Sequence, residues 1–190
     1  VTLMTTRYES LISQVTKPAR YTGGELNSIV KDWDAHELRV ALAYPDLYDL
    51  GMSNLGLSLL YDIVNRRLDA LAERVFSPWT DLEALLREHE EPLRSLETKH
   101  ALNEFDILGI TLQFEACYTN VLNMLDLGGI AIRTEDRADD ETIVIAGGSG
   151  ALSPEPLAPF IDAFALGEGE EVIREICDAV AAWKREGGGP

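Results

Sequence analysis

The chain is short of cysteine, histidine and basic residues, and each shortage removes a class of function. It has two cysteines, three histidines, and 16 lysine and arginine residues against 33 acidic residues. The formal charge of −17 opposes binding to nucleic acid, because no dense basic patch offsets the repulsion from phosphates. Cys117 and Cys177 lie far apart and form no Cys-x-x-Cys pair. The sequence therefore predicts neither a metal site nor a disulfide framework.

Long apolar runs and targeting segments are also missing. No run approaches the roughly 20 apolar residues that span a bilayer. The amino-terminal segment lacks the sustained apolar stretch of a signal peptide, and two isolated cysteines are typical of reduced thiols. These absences predict a cytoplasmic protein with no membrane partner.

The chain does contain a regular alternation of apolar runs and amphipathic segments. Its 190 residues, 46% of them hydrophobic, match one α/β domain with a short extension. The alternation predicts a doubly wound, mainly parallel five-stranded sheet flanked by helices. The predicted strands cover residues 38–44, 72–76, 105–112, 142–146 and 161–166, and the predicted helices cover residues 55–68, 81–88, 119–127 and 170–185.

The two ends of the chain differ from this alternating part. Residues 1–36 form a predicted N-terminal extension, in which residues 27–33 carry apolar side chains at helical spacing. Residues 37–186 form the predicted Rossmann-like domain, and the glycine-rich residues 187–190 form a predicted linker. A further short strand is predicted at residues 93–96.

Four glycine-rich or polar segments follow the predicted strands. Because the carboxyl ends of parallel strands meet at one edge of a sheet, ligands bind there. Glycine in such turns lets the backbone approach a ligand closely. The segments cover residues 45–56, 111–119, 147–156 and 167–171, and their candidate ligand contacts include Asp46, Tyr48, Ser53, Gln113, Gly147, Gly148, Gly167 and Glu168.

Catalytic motifs are missing from these segments. The Gly167-Glu168-Gly169 run lacks the third glycine of the dinucleotide fingerprint, and no phosphate-binding loop or nucleophile elbow occurs. No histidine is placed in the sequence to activate Cys117. The sequence therefore predicts no catalytic residue within this chain.

Residues 17–180 nevertheless resemble a known class of domain. The resemblance rests on KPARYTGGE, VALAYPDLYDLGMSNLGLSLLYDIVNRR and VIAGGSGALSPEPLAPFIDAFALGEGEE, among other segments. They are similar to the N-terminal cobalamin-binding-like, Rossmann-like domain of radical S-adenosylmethionine (radical SAM) proteins. This resemblance implies a cobalamin-binding or flavodoxin-like fold that faces a catalytic barrel.

The resemblance also implies positions for a cobalamin. Asp46, Tyr48 and Gly51 match the Asp-x-His-x-x-Gly motif of cobalamin-binding domains, with tyrosine in place of the histidine that binds cobalt. Thr111 and Gln113 take the place of the second motif, and Gly147-Gly148 matches the third. A tyrosine phenol with a pKa near 10 is a poor cobalt ligand. The implied cobalamin is therefore not histidine-ligated, and its nucleotide tail lies between Thr111 and Gly147.

One departure from radical SAM proteins concerns the iron–sulfur cluster. The chain lacks the Cys-x-x-x-Cys-x-x-Cys triplet that holds a four-iron cluster through thiolates. The resemblance therefore implies that S-adenosylmethionine and the cluster bind outside this chain, in a C-terminal radical SAM domain of the same protein. Two functions remain open: a non-catalytic cobalamin module, and a degenerate, cofactor-free domain that caps the barrel or mediates a protein interaction. A flavin-binding domain is a third, weaker alternative.

Overall fold

A single parallel sheet forms the centre of the protein, which a computed structural model describes for residues 6–190. All strand pairs are parallel and the strand order is 2-1-3-4-5. This is the flavodoxin-like order of doubly wound sheets, so the predicted fold class is confirmed. The strands are β1 (Leu38–Tyr44), β2 (Ala70–Phe76), β3 (Ile107–Thr111), β4 (Ile143–Gly147) and β5 (Ala163–Ala165).

Helices cover both faces of this sheet. Side chains alternate between the faces of a strand, so Val40 and Leu42 of β1 join one apolar cluster while Ala41 and Ala43 join the other. The helices are α1 (Arg7–Ile12), the single turn α2 (Tyr48–Gly51), α3 (Leu55–Asn65), α4 (Thr80–His89), α5 (Tyr118–Leu127) and α6 (Gly169–Arg185). The cluster with Val40 contains the inward faces of α3 and α6, and the cluster with Ala41 contains those of α1, α4 and α5.

The N-terminal extension packs against the sheet domain. Tyr8, Leu11 and Ile12 of α1 are buried in the same apolar cluster as α4. The helical spacing at residues 27–33 was a wrong indication, because residues 28–32 are not helical and only a short 3-10 turn, Trp33–Ala35, begins at its end. The Tyr61 hydroxyl instead accepts a hydrogen bond from the Ile29 amide at 2.7 Å and donates one to the Ile29 carbonyl at 3.0 Å.

Residues 93–98 cover the outer edge of β2. The Leu96 amide donates to the Arg74 carbonyl at 2.7 Å, and the Arg74 amide donates to the Glu97 carboxylate at 2.7 Å. The strand predicted at residues 93–96 is absent, because only an isolated bridge joins Arg94 to Ala101. These bonds occupy the outer edge of β2 at Arg74, where another strand could otherwise pair.

Two further features concern membranes and metals. Among residues 6–190, no helix combines the length and the apolar character needed to cross a membrane. The same range contains no group of three or more histidine, cysteine, aspartate or glutamate side chains placed to hold a metal ion. Both cysteines are free and buried, and burial raises the pKa of the Cys177 thiol to about 11.

Candidate functional site

A cavity of about 310 Å³ opens at the carboxyl edge of the sheet. It lies between α3 and α6, over the face of the sheet formed by β1, β3, β4 and β5. Among the predicted contacts, the cavity is lined by Thr111, Gln113, Gly147, Gly148 and Gly167. The segments that carry these residues are far apart in the chain, and the parallel topology brings them to one place as expected.

The floor of the cavity is formed by strand residues, several of which are small. Gly109, Thr111, Gly147 and Ala165 line it together with the larger Leu42, Ile107 and Ile145. A Cβ added to Gly147 would meet only Ala165, at 3.5 Å or more, and the backbone there does not have the left-handed conformation that favours glycine. Gly147 is therefore not required by the fold, and a larger side chain there would occupy the cavity.

The walls of the cavity are apolar and come from the two covering helices. α3 contributes Leu59 and Leu60, and α6 contributes Val172, Ile173 and Ile176. The amphipathic pattern of α3 and α6 already placed their apolar faces inward. It could not show that these two helices, more than 100 residues apart in the chain, would face each other across an open space.

Gly148, next to the cavity floor, is required by the backbone. Its φ of +100° favours glycine, and an added Cβ would lie 2.5 Å from the Leu112 carbonyl oxygen. This close approach joins two loops: the Leu112 amide donates to the Gly147 carbonyl at 2.7 Å, and the Ser149 hydroxyl donates to the Gln113 carbonyl at 2.8 Å. The two glycines of the pair therefore have different roles, one in the cavity floor and one in the loop junction.

Tyr48 lies outside the cavity lining. Its hydroxyl donates to the Glu25 carboxylate at 2.9 Å, and its ring packs edge-on against Phe76 at 5.2 Å between centroids. Burial, together with the bond to Glu25, raises the pKa of Tyr48 to about 12. Tyr48, which the predicted motif match aligns with a histidine, is therefore a protonated phenol held by the N-terminal extension.

The other predicted contacts outside the cavity lining have varied surroundings. The Asp46 carboxylate accepts a hydrogen bond from the Leu47 amide at 2.7 Å. Gly51 is required by packing, since an added Cβ would lie 2.6 Å from the Tyr44 ring. Ser53 is exposed, and Glu168 is the N-cap residue of α6 without a side-chain capping bond.

A buried ionic network fixes Glu25, the residue that holds Tyr48. Arg74 of β2 contacts Glu25 at 2.9 Å and Glu97 at 2.7 Å. Burial acts to raise the pKa of Glu25, but hydrogen bonds from its own backbone amide, Tyr48 and Arg74 outweigh it and lower the pKa. Burial raises the pKa of Glu97, opposed by Arg74. No local sequence pattern indicated that the extension would reach the loop after β1 in this way.

A family comparison identifies the class of domain that carries this cavity. The family model described as "Radical SAM proteins, N-terminal" matches residues 56–189. The chain belongs to this family. The radical SAM part of the predicted resemblance is thereby confirmed. Parent proteins of the family use S-adenosylmethionine and a four-iron cluster, and the two widely separated cysteines of this N-terminal domain do not fit such a cluster.

Comparison with other proteins adds less about this radical SAM N-terminal domain. A search of curated proteins found no match. Among solved structures, a protein described as "a putative flavoprotein" from Bacteroides eggerthii is 12% identical, with a TM-score of 0.37, covering 76% of this chain and 98% of its own. A flavoprotein in complex with FMN from Lactobacillus acidophilus is also 12% identical, with a TM-score of 0.37, covering 73% of this chain and 97% of its own. Similarities at this level carry no conclusion about a ligand.

Proposed function

We propose that this domain is a cobalamin-binding module of a radical SAM enzyme and that the cavity between α3 and α6 receives the nucleotide tail of the cofactor. The observation that carries the proposal is the open cavity with a glycine floor at the carboxyl edge. A cofactor-free domain would be expected to fill this space with side chains, whereas Gly109, Gly147 and Ala165 leave it open. The corrin ring would then lie at the mouth, facing the radical SAM domain of the same protein.

The size and chemistry of the cavity suit a flat, largely apolar group. Its 310 Å³ is at the lower end of the roughly 300–1,000 Å³ range of small-molecule pockets. Leu60, Ile173 and Ile176 supply apolar walls, while Thr111 and Gln113 supply hydrogen-bonding groups near the mouth. A cavity of this size holds part of a cobalamin, such as the benzimidazole end of its tail, and leaves the larger ring outside.

The charges at the mouth favour a corrinoid over a flavin nucleotide. Among residues 6–190, no lysine or arginine lines the cavity, and Glu168, Glu170 and Glu171 stand at the start of α6. These carboxylates offset the attraction of the helix dipole for anions, so a phosphate dianion such as that of FMN is disfavoured. The phosphodiester of a cobalamin carries one negative charge, which the cobalt–corrin centre of the same molecule balances.

The domain would hold this cofactor without a histidine ligand. Tyr48 is occupied by Glu25 and stays protonated at neutral pH, because its pKa is raised to about 12. The residues of this chain would therefore bind and orient the cofactor and exclude water from its tail, while the reacting groups belong to the radical SAM domain. Residues 37–186 would form the binding module, residues 1–36 an extension that fixes the loop after β1, and residues 187–190 a linker.

The proposal is tested by comparing three ligands on the purified chain. Hydroxocobalamin should co-elute with the protein and show a shifted visible spectrum, with a dissociation constant in the micromolar range, about −8 kcal/mol. Cobinamide, which has the ring without the nucleotide tail, should bind at least tenfold more weakly. FMN should not be retained.

Each alternative outcome identifies a different function. Equal binding of hydroxocobalamin and cobinamide would contradict the assignment of the cavity to the tail. Retention of FMN without hydroxocobalamin would identify a flavin-binding domain. Retention of neither at saturating concentration would leave the cofactor-free cap as the function.

A further inference from the structure

The loops at the carboxyl edge of the sheet contain charged residues of one sign only. The loops after the five strands, together called the rim, comprise residues 45–54, 77–81, 112–119, 148–158 and 166–171. They contain no lysine, arginine or histidine and eight acidic residues: Asp46, Asp49, Asp81, Glu115, Glu155, Glu168, Glu170 and Glu171. In other chain regions, such as residues 128–142, both signs are mixed.

Only part of this acidity is neutralised within the chain. Asp49 binds Lys17 at 3.0 Å and also Arg20, and Asp81 accepts the Thr16 amide at 2.8 Å. Within residues 6–190, none of the five rim glutamates forms a salt bridge. The rim thus keeps several uncompensated carboxylates around the mouth of the cavity.

The same rim exposes large apolar side chains. Phe114 is 49% exposed, Leu152 73% and Leu166 59%. Clusters of exposed apolar side chains edged by polar groups mark interaction surfaces. The exposed apolar residues of the rim and the adjoining first turn of α3 are Leu50, Met52, Leu55, Trp79, Phe114, Leu152 and Leu166.

We infer that the rim docks onto a protein surface in which lysine or arginine side chains surround an apolar centre. Charge complementarity selects this occupant: the rim offers apolar contacts together with carboxylates that have no partner of their own. Nucleic acid and anionic lipid are repelled by the same carboxylates, and a second copy of the chain would oppose one acidic rim to another. In the proposed function this surface belongs to the radical SAM domain, but the inference about its chemistry holds without a bound cofactor.

The experiment uses the unloaded chain and a synthetic peptide of stated chemistry. A fluorescent amphipathic helix of leucine and lysine should bind the protein, as measured by anisotropy, and a leucine–glutamate helix of equal length should not. Binding should weaken as ionic strength rises, because exposed charge pairs are screened by salt. Strong self-association through the rim, detected by sedimentation and abolished by Leu152→Ser, would overturn the inference in favour of a second copy.

Matched variants separate the rim from overall charge. The triple change Glu115→Gln, Glu155→Gln and Glu171→Gln removes three exposed rim charges, and it should weaken peptide binding roughly tenfold if each lost pair contributes as exposed pairs do. The control variant carries Asp136→Asn, Asp139→Asn and Asp140→Asn, which remove the same number of exposed charges from the loop before β4. It should change peptide binding by less than about twofold, because those charges lie at the opposite edge of the sheet.

The apolar part of the surface has its own control. Leu152→Ser should weaken binding of the leucine–lysine helix, whereas Leu68→Ser, at a side chain that is 96% exposed before β2, should not. Equal loss in the rim and control triples would mean that net charge alone attracts the peptide, and the inference would fail. Hydroxocobalamin binding is measured separately on the same variants, so a failed docking surface does not count against the cavity.

Discussion

The substitution Gly147→Val tests the cavity without disturbing the fold. Gly147 ends β4, lines the cavity floor and has room for a Cβ, whose nearest contact would be 3.5 Å away. Valine is favoured in strands, and glycine in a strand interior costs roughly 0.5–1 kcal/mol relative to alanine. The variant should therefore be as stable as the parent protein or slightly more stable.

Binding, in contrast, should be weakened. Valine adds three carbon atoms, or roughly 90 Å³ at about 30 Å³ for each water-sized group, against a cavity of 310 Å³. Excluding one buried apolar group of the ligand would cost about 1.5–3 kcal/mol. This corresponds to a dissociation constant about 10- to 150-fold higher for hydroxocobalamin.

Two assays on the same protein samples check this prediction. Urea unfolding measures the free energy of unfolding, and equilibrium dialysis measures the dissociation constant of hydroxocobalamin. Ala163→Val, an exposed position on the neighbouring β5 that does not line the cavity, is the control and should leave binding unchanged. Unchanged affinity in a well-folded Gly147→Val variant would refute the assignment of the cavity to the ligand.

Three further predictions concern the parts of the chain that support the cavity. Gly148→Ala should lower the free energy of unfolding in urea by at least about 2 kcal/mol, because this position combines a positive φ with a contact at 2.5 Å. The loss should exceed that of Gly24→Ala, a position that has a positive φ but open space around it. An equal loss in both variants would contradict this account. Tyr48→Phe should cost about 1 kcal/mol of stability through the lost bond to Glu25 and leave hydroxocobalamin binding intact; a large loss of binding would show that Tyr48 contacts the ligand. The pKa of Asp49 is lowered by its hydrogen bond from Lys17. The pKa values of Glu25 and Asp81 are also lowered, because the effect of their hydrogen bonds is larger than that of burial. These three carboxylates should therefore stabilise the extension fully above about pH 5 and lose this effect as the pH falls below about 4. The loss would be measured as falling hydrogen-exchange protection of residues 16–30. Protection that falls when the pH is raised from 5 to 8 would contradict the predicted direction of the pH dependence.

The sequence was most informative about the sheet. Every strand of the sheet was visible as an apolar run, and the carboxyl edge followed from parallel pairing. β2 begins at Ala70, two residues before the predicted start, because Ala70 is buried and pairs with Leu38. The local sequence pattern alone could not show that pairing with β1 extends the strand to Ala70.

The neighbours of Tyr48 also could not be predicted from the sequence. The motif comparison placed Tyr48 beside the ligand, since it takes the place of a histidine that contacts cobalt. Its actual neighbours are Glu25 and Phe76, which come from the extension and the neighbouring strand. An ion network that joins Glu25 to Arg74 and Glu97 depends on the folded chain, and no spacing in the sequence reveals it.

The walls of the cavity were similarly hidden. Ile173 and Ile176 belong to an amphipathic helix whose apolar face would fit any covered sheet. What makes them part of a site is the small size of Gly109 and Gly147 beneath them, and this match between helix and floor exists only in three dimensions.

The most direct test of the central claim is methyl NMR of isoleucine-labelled protein titrated with hydroxocobalamin. Ile145, Ile173 and Ile176 line the cavity, whereas Ile12, Ile130 and Ile161 belong to the apolar cluster on the other face of the sheet. The account predicts that the first three methyl signals shift on binding and that the other three stay in place. Binding that leaves the cavity methyls unmoved, or that shifts both groups equally, would contradict it.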